Sequence, residues 1–296
     1  MNITQKGLFS LLLVGFVGFM SSCGDSEVKS DGSEVVVDDG AKESSRSENV
    51  KLILHTVPTP MSTASLIKDA GADFDAELLS STENIGRFHS AVSQSLALGI
   101  FGADLSYSSM FDKEAEAIVY LSATQKMCAN LGIEGALDND VFARMNTNKE
   151  NRDSVLAIVS DTYYSMDSYL KDIGREDLLS LIIAGGWIEG LYLAGNHYKS
   201  NSGLADRIAE QKFSAKSLLS LMESYSDAPH LNDMREKIGA INKLFDKITV
   251  EQAQTTTTKD ASGAVVIEGG STVKYSPADL DAIVAAVNEL RAEIVK

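Results

Sequence analysis

From about residue 51 onward, apolar side chains return every three or four positions, the interval at which one face of an α-helix comes round to a buried surface. Pro58 and Pro60 place the first helix near Ser62. A second is predicted from about Asn84 through Leu105, and a third from a cap at Asp112 to Gly132, where glycine suits the end of a helix. Asp138 can cap a short fourth. Val155, Ile158, Val159, Met166, Leu170 and Ile173 repeat at helical spacing from Arg152 until Gly174 stops the run, and a very apolar helix follows from about Glu176 to Tyr198. Helical stretches then run from Leu204 to about Tyr225 and from about Leu231 to Ile248, parted by Pro229. The second carries Met234, Ile238, Ile241, Phe245 and Ile248 on one face.

One stretch changes period. Thr255 to Thr258 and Val265 to Ile267 are β-prone and flank Asp260-Ala261-Ser262-Gly263, which predicts a solvent-exposed hairpin within about residues 251–275. Ser276 and Pro277 then open a last helix whose Leu280, Ile283, Val284, Val287, Leu290 and Ile294 form a stripe. That stripe needs a cover. Packing onto the body is the expected one, and a partner-binding coiled-coil seam is the alternative. The fold class expected is all-α: a multi-helix bundle forming a single domain over residues 51–296, with one small β-hairpin before the C-terminal helix.

The first fifty residues obey different rules. Lys6 precedes an uncharged, apolar run from Leu8 to Met20 that is too short to span a bilayer as a helix and has the form of an export signal. It closes on Ser21-Ser22-Cys23, which resembles the lipobox of bacterial lipoproteins. The resemblance implies that residues 1–22 are a signal peptide and that lipid, such as palmitate, is added to Cys23. The alternative is an ordinary signal peptide beside an incidental cysteine. Each buried methylene contributes about 0.8 kcal/mol, so a stable anchor needs more than one chain, as a diacylated or triacylated Cys23 would supply. Residues 23–50 are rich in serine, aspartate and glutamate, the composition of a flexible tether. Asp25 and Glu27 resemble the acidic segments that send some Bacteroidota-type lipoproteins to the cell surface, and Gly24 is compatible with transfer to an outer membrane. Membrane attachment through Cys23, on the periplasmic face or the cell surface, is therefore expected.

Charge narrows the partners. Removing residues 1–22 takes away Lys6 and leaves 25 basic against 42 acidic side chains, a formal charge of −17. Such a surface repels nucleic acid and anionic headgroups, which excludes nucleic-acid binding. With Cys23 acylated, Cys128 has no partner for an internal disulfide and reads as a small buried apolar residue.

Candidate chemistry concentrates in two glycine-rich, nearly uncharged helices, residues 96–105 and 182–195, which share Ile-x-Gly-x-x-Leu at Ile100, Gly102, Leu105 and at Ile188, Gly190, Leu193. Glycine inside a helix costs about 0.5 to 1 kcal/mol relative to alanine, so its repetition implies close approach of a backbone or a ligand. Close contact is expected at Gly99, Gly102, Gly186 and Gly190. Each segment also carries one acid, Asp104 and Glu189, in apolar surroundings; each needs a partner such as Tyr107, Tyr192, His197 or an arginine from elsewhere. One reading makes Asp104, Tyr107, Trp187, Glu189 and Tyr192 a pocket between helices. The other makes the acids satisfied core polars that fix helix register, and this one is favoured. No metal-ligand pair, nucleophile elbow or phosphate-cradling loop is present, so no catalytic residue, metal or cofactor is assigned. His55, His89, His197 and His230 are scattered.

Gly195-Asn196-His197-Tyr198-Lys199-Ser200 has the beginning of the Gly-x-His-x-x-Glu pattern of imelysin-like helical lipoproteins, with Ser200 in place of the acid. Thr59-Pro60-Met61-Ser62, Phe101-Gly102-Ala103-Asp104-Leu105-Ser106-Tyr107, Asn151-Arg152-Asp153-Ser154 and Gly185-Gly186-Trp187-Ile188-Glu189-Gly190 together resemble an uncharacterised helical lipoprotein family of Bacteroidota over roughly residues 55–250. That resemblance implies an address and a helical body, not an activity. The expected function is a lipid-anchored cell-envelope protein with a non-catalytic binding or scaffold role and an envelope protein as partner. The alternative is an envelope enzyme or small-ligand-binding protein using Asp104 and Glu189.

Overall fold

The computed structural model describes residues 46–296 except 47, 49, 54–55, 84, 137–139, 149–150, 202, 253–255, 260–264 and 269–270. The signal peptide, Cys23 and nearly all of the tether lie outside the described residues, as do Asp138 and the Asp260–Gly263 turn. Residues 46, 48 and 50–53 are already helical, with Val50 and Ile53 buried. Nine further helices follow among the described residues: α1 (Pro60–Asp69), α2 (Ala91–Met110), α3 (Glu114–Leu131), α4 (Val141–Thr147), α5 (Arg152–Asp172), α6 (Asp177–His197), α7 (Gly203–Ser224), α8 (Asn232–Leu244) and, after the strands, α9 (Pro277–Ile294). The all-α class is what the helical spacing predicts.

Local chemistry explains where the boundaries fall. Thr59 caps α1 with Pro60 as its first residue, and Asn151 caps α5. Gly132 and Gly174 end α3 and α5 in the left-handed region, at φ 69° and 67°. The α2 helix begins at Ala91 rather than near Asn84, because Ser90 and Ser93 form a reciprocal cap while residues 85–87 turn as a 3₁₀ helix. Asp112 does not cap α3: it sits in a left-handed turn at φ 58°, and Lys113 takes the cap position without a side-chain bond. The α8 helix stops at Leu244 and tightens into a 3₁₀ turn over Phe245–Lys247 before the chain extends.

The hairpin is longer than its β-prone residues suggest. β2 (Thr256–Lys259) pairs antiparallel with β3 (Val265–Glu268) as expected, and outside them β1 (Thr249–Gln252) pairs with β4 (Ser271–Lys274), Val250 opposite Val273. Ser276 and Asp279 then form the reciprocal cap that opens α9. Leu280, Ile283, Val287 and Leu290 of α9 are buried against α6 and α8, so the body covers its stripe.

The centre of the body is α6, flanked by α1, α2, α5, α7 and α9. A helix enclosed in this way is apolar all round, and α6 is the one described helix long and apolar enough to cross a membrane, yet 94% of that window is buried inside the body. It runs beside α2 in the same direction: Leu96 and Gly99 meet Ile182, Gly185 and Gly186, Asp104 meets Glu189, and Tyr107 meets His197. The closest approach is between backbones. A Cβ placed on Gly99 would overlap the Ile182 carbonyl oxygen and lie 2.6 Å from the Gly186 nitrogen; one on Gly185 would overlap the Leu96 carbonyl oxygen. Gly102 and Gly190, the positions the shared motif singles out, are not the crossing: nothing lies within 4 Å of a Cβ on Gly102, and Gly190 faces the Thr63 side chain at 3.3 Å.

Cys128 on α3 is buried and unpaired, and burial pushes its thiol up to about 12. Reductant should leave the melting temperature of the monomer unchanged, and Cys128→Ala should cost on the order of 1 kcal/mol in packing. A fall in Tm with reductant alone would reveal a disulfide between chains.

Candidate functional site

Downstream of the glycine contact, α2 and α6 each turn an acid toward the other, and both Asp104 and Glu189 are completely buried. Their partner comes from far along the chain. Arg291, on the last turns of α9, reaches in with Nε 3.0 Å from Glu189 Oε2 and Nη2 3.0 Å from Oε1, a two-pronged ion pair. Its Nη2 also donates to the Leu78 carbonyl at 3.1 Å and to Ser80 Oγ at 2.7 Å, and its guanidinium lies 4.2 Å from the centre of the Tyr192 ring. The Ser80 amide donates to Asp104 Oδ2 at 3.1 Å, and Tyr120 on α3 donates its hydroxyl to the Ser80 carbonyl at 2.6 Å.

Ser80 lies in the connection between α1 and α2, a stretch whose described residues include two short 3₁₀ turns. Side chains of α2, α3 and α9 pin it: Asp104, Tyr120 and Arg291 hold its Leu78–Ser80 end, and Tyr107 accepts the Asp75 amide at 3.1 Å. A connection this long without such partners would leave backbone groups unsatisfied against the core. The cluster thus joins three things: the α2–α6 pair, the connection before α2, and the C-terminal helix.

Burial dominates the electrostatics. It raises the Asp104 carboxyl well above the usual carboxylate range, and the nearby Glu189 charge raises it further, against the opposing Ser80 amide and Arg291. Burial also raises Glu189, while the Arg291 charge and its hydrogen bonds favour the ionised form. Burial works against the Arg291 cation, but Glu189 outweighs it and holds Arg291 above its ordinary value. Tyr120 and Tyr192 are both shifted up by burial, so both remain neutral, Tyr120 as the donor to the Ser80 carbonyl. The one ionic pairing at the centre is therefore Glu189 with Arg291.

The five residues proposed as one pocket divide three ways. Asp104, Glu189 and Tyr192 gather around Arg291. Tyr107 belongs to a separate contact, with its hydroxyl 3.2 Å from His197 Nε2 and its ring stacked on Phe74 at 5.2 Å. Trp187 faces another way, into a small cleft of about 30 Å³ that it lines with Thr63, Leu66, Leu191, Ile208 and Gln211, donating Nε1–H to Gln211 Oε1 at 3.1 Å. Neither Asp104 nor Glu189 lines that cleft. A general acid or base must come within hydrogen-bond reach of a substrate proton, and two fully buried carboxyls engaged with Arg291 and Ser80 have no such reach here.

Sequence reasoning anticipates an arginine partner without identifying it, and it misses Ser80 and Tyr120. The signal for Arg291 is present: it falls four residues after Val287 and seven after Val284, a lone cation within the apolar stripe of the last helix. Ser80 carries no such mark, because its role comes from a loop. Among the described residues, no group of three or more acidic, histidine or cysteine side chains could hold a metal ion. Comparison with protein-family models, with curated proteins and with solved structures finds no match.

Proposed function

We propose that the protein is a lipid-anchored component of the cell envelope whose helical body serves as a non-catalytic binding or scaffold module. The observation that carries the non-catalytic part is the engagement of both candidate acids in one closed network with Arg291 and Ser80, with no exposure of either carboxyl. A charge bonded in this way positions helices; it does not meet substrate. The envelope address rests on the apolar run ending in Ser21-Ser22-Cys23, with the acidic stretch behind it as tether and an outer membrane as the expected site.

Cys23→Ala tests the address. The variant should lose metabolic labelling by a fatty acid and the processing that accompanies it, and should leave the membrane fraction. Labelling that persists would overturn the anchor. Small-ligand binding is a second reading, and it would have to widen the small cleft beside Trp187 rather than use the acids. Under it, an apolar probe that quenches Trp187 fluorescence should do so saturably in the wild-type protein, and Asp104→Asn should leave that quenching unchanged.

A further inference from the structure

One buried atom in the cluster lacks a donor. Asp104 Oδ2 accepts the Ser80 amide, but among the described residues no N–H or hydroxyl group reaches Oδ1. What lies within hydrogen-bonding reach of the Asp104 side chain is the Glu189 carboxyl. Two ionised carboxylates cannot share such a place, because their repulsion in a dry interior is large and Arg291 supplies only one positive charge. Every donor of Arg291 that reaches a carboxylate goes to Glu189. Asp104 is left without compensation unless it is neutral.

We propose that Asp104 and Glu189 share a single proton at neutral pH, held on Asp104 Oδ1 and donated to Glu189, and that its removal loosens the latch holding the C-terminal helix. The proton makes Oδ1 a donor instead of an orphan acceptor. It also brings the cluster to neutrality, with Glu189 negative, Arg291 positive and Asp104 uncharged. The titratable and charged groups that face Asp104 are Glu189 and Tyr192 on α6, Tyr120 on α3 and Arg291 on α9. Both tyrosines are held up by burial and stay protonated, so the transition belongs to the acid pair. When hydroxide removes the proton, a second negative charge appears beside Glu189 and competes for Arg291. The weakest link is then the contact of α9 with the core, since Arg291 ties that helix to the connection before α2 through the Leu78 carbonyl and Ser80 Oγ.

The sign follows from linkage. Asp104 is raised in the folded state, so its contribution to stability is complete below the unfolded value of about 3.9 and is lost as pH rises through its folded value. Asp104→Asn replaces the neutral acid by an isosteric amide that still donates to Glu189 and cannot ionise. Measured on the full-length protein, the wild-type Tm should drop against that of the variant as pH rises from about 4 towards the folded value, by about 2 to 4 °C or more, and the protection of α9 amides against exchange should fall in the wild type alone. Infrared spectroscopy at neutral pH should show the carbonyl stretch of a buried protonated carboxyl that Asp104→Asn removes. That spectrum can be read on the wild-type protein even if the variant does not fold. Absence of a protonated-acid band at neutral pH would overturn the proposal, as would its survival in Asp104→Asn or a Tm gap that does not change with pH.

Discussion

Gly185→Ala is expected to destabilise the protein by roughly 3 kcal/mol or more, the upper end of what overpacking costs, although it adds one methyl group. The added carbon would overlap the Leu96 carbonyl oxygen and lie 2.9 Å from the Leu96 carbonyl carbon. Both are backbone atoms of α2, so no rotamer change relieves the clash, and the two central helices must separate. Gly99→Ala should behave in the same way against Ile182 and Gly186. Gly102→Ala should have the opposite sign. Nothing stands within 4 Å of its new carbon, and replacing a helical glycine by alanine gains about 0.5 to 1 kcal/mol. Chemical denaturation of the three variants checks this, and equal losses at Gly102 and Gly185 would mean that the helices do not meet at backbone distance.

The second large effect lies at Arg291. Arg291→Met keeps much of the side-chain volume but strands Glu189, whose carboxylate is completely buried. Removing one partner of a buried ion pair costs about 3 to 5 kcal/mol because the remaining charge has no compensation. Four donor contacts disappear together, two to Glu189 and one each to the Leu78 carbonyl and Ser80 Oγ. Denaturant titration with amide exchange should show α9 and the connection before α2 opening first. An exposed pair such as Lys274 with Glu251 should by contrast be worth less than about 1 kcal/mol.

What sequence could reveal here follows from how local each cause is. Helix caps and left-handed glycines are written in adjacent residues, so Ser276-Pro277, Gly132 and Gly174 mark their boundaries directly. The repeated glycines announce a close crossing, but the partner of each depends on the rotation of one helix about another. For that reason the shared motif points to Gly102 and Gly190 while the backbones meet at Gly99 and Gly185. Asp104 and Glu189 are conspicuous as lone acids in apolar helices, and the structure buries both and brings them together. Their partners are not legible in the same way: Arg291 stands 102 residues from Glu189. Ser80 contributes mainly through backbone groups, which every residue possesses. Trp187 faces the opposing cleft because it is two positions before Glu189, about 200° round the helix.

The central claim is that the buried acids form a lock between the core and the C-terminal helix. A double-mutant cycle on Glu189 and Arg291 tests it most directly, using Glu189→Met, Arg291→Met and the combination, with unfolding free energies measured in denaturant. Each single variant should lose about 3 to 5 kcal/mol, whereas the double variant should lose far less than their sum, because two apolar side chains leave no unpaired charge. Additive losses, or single variants within about 1 kcal/mol of the wild type, would contradict the lock and return Glu189 to consideration as a working acid.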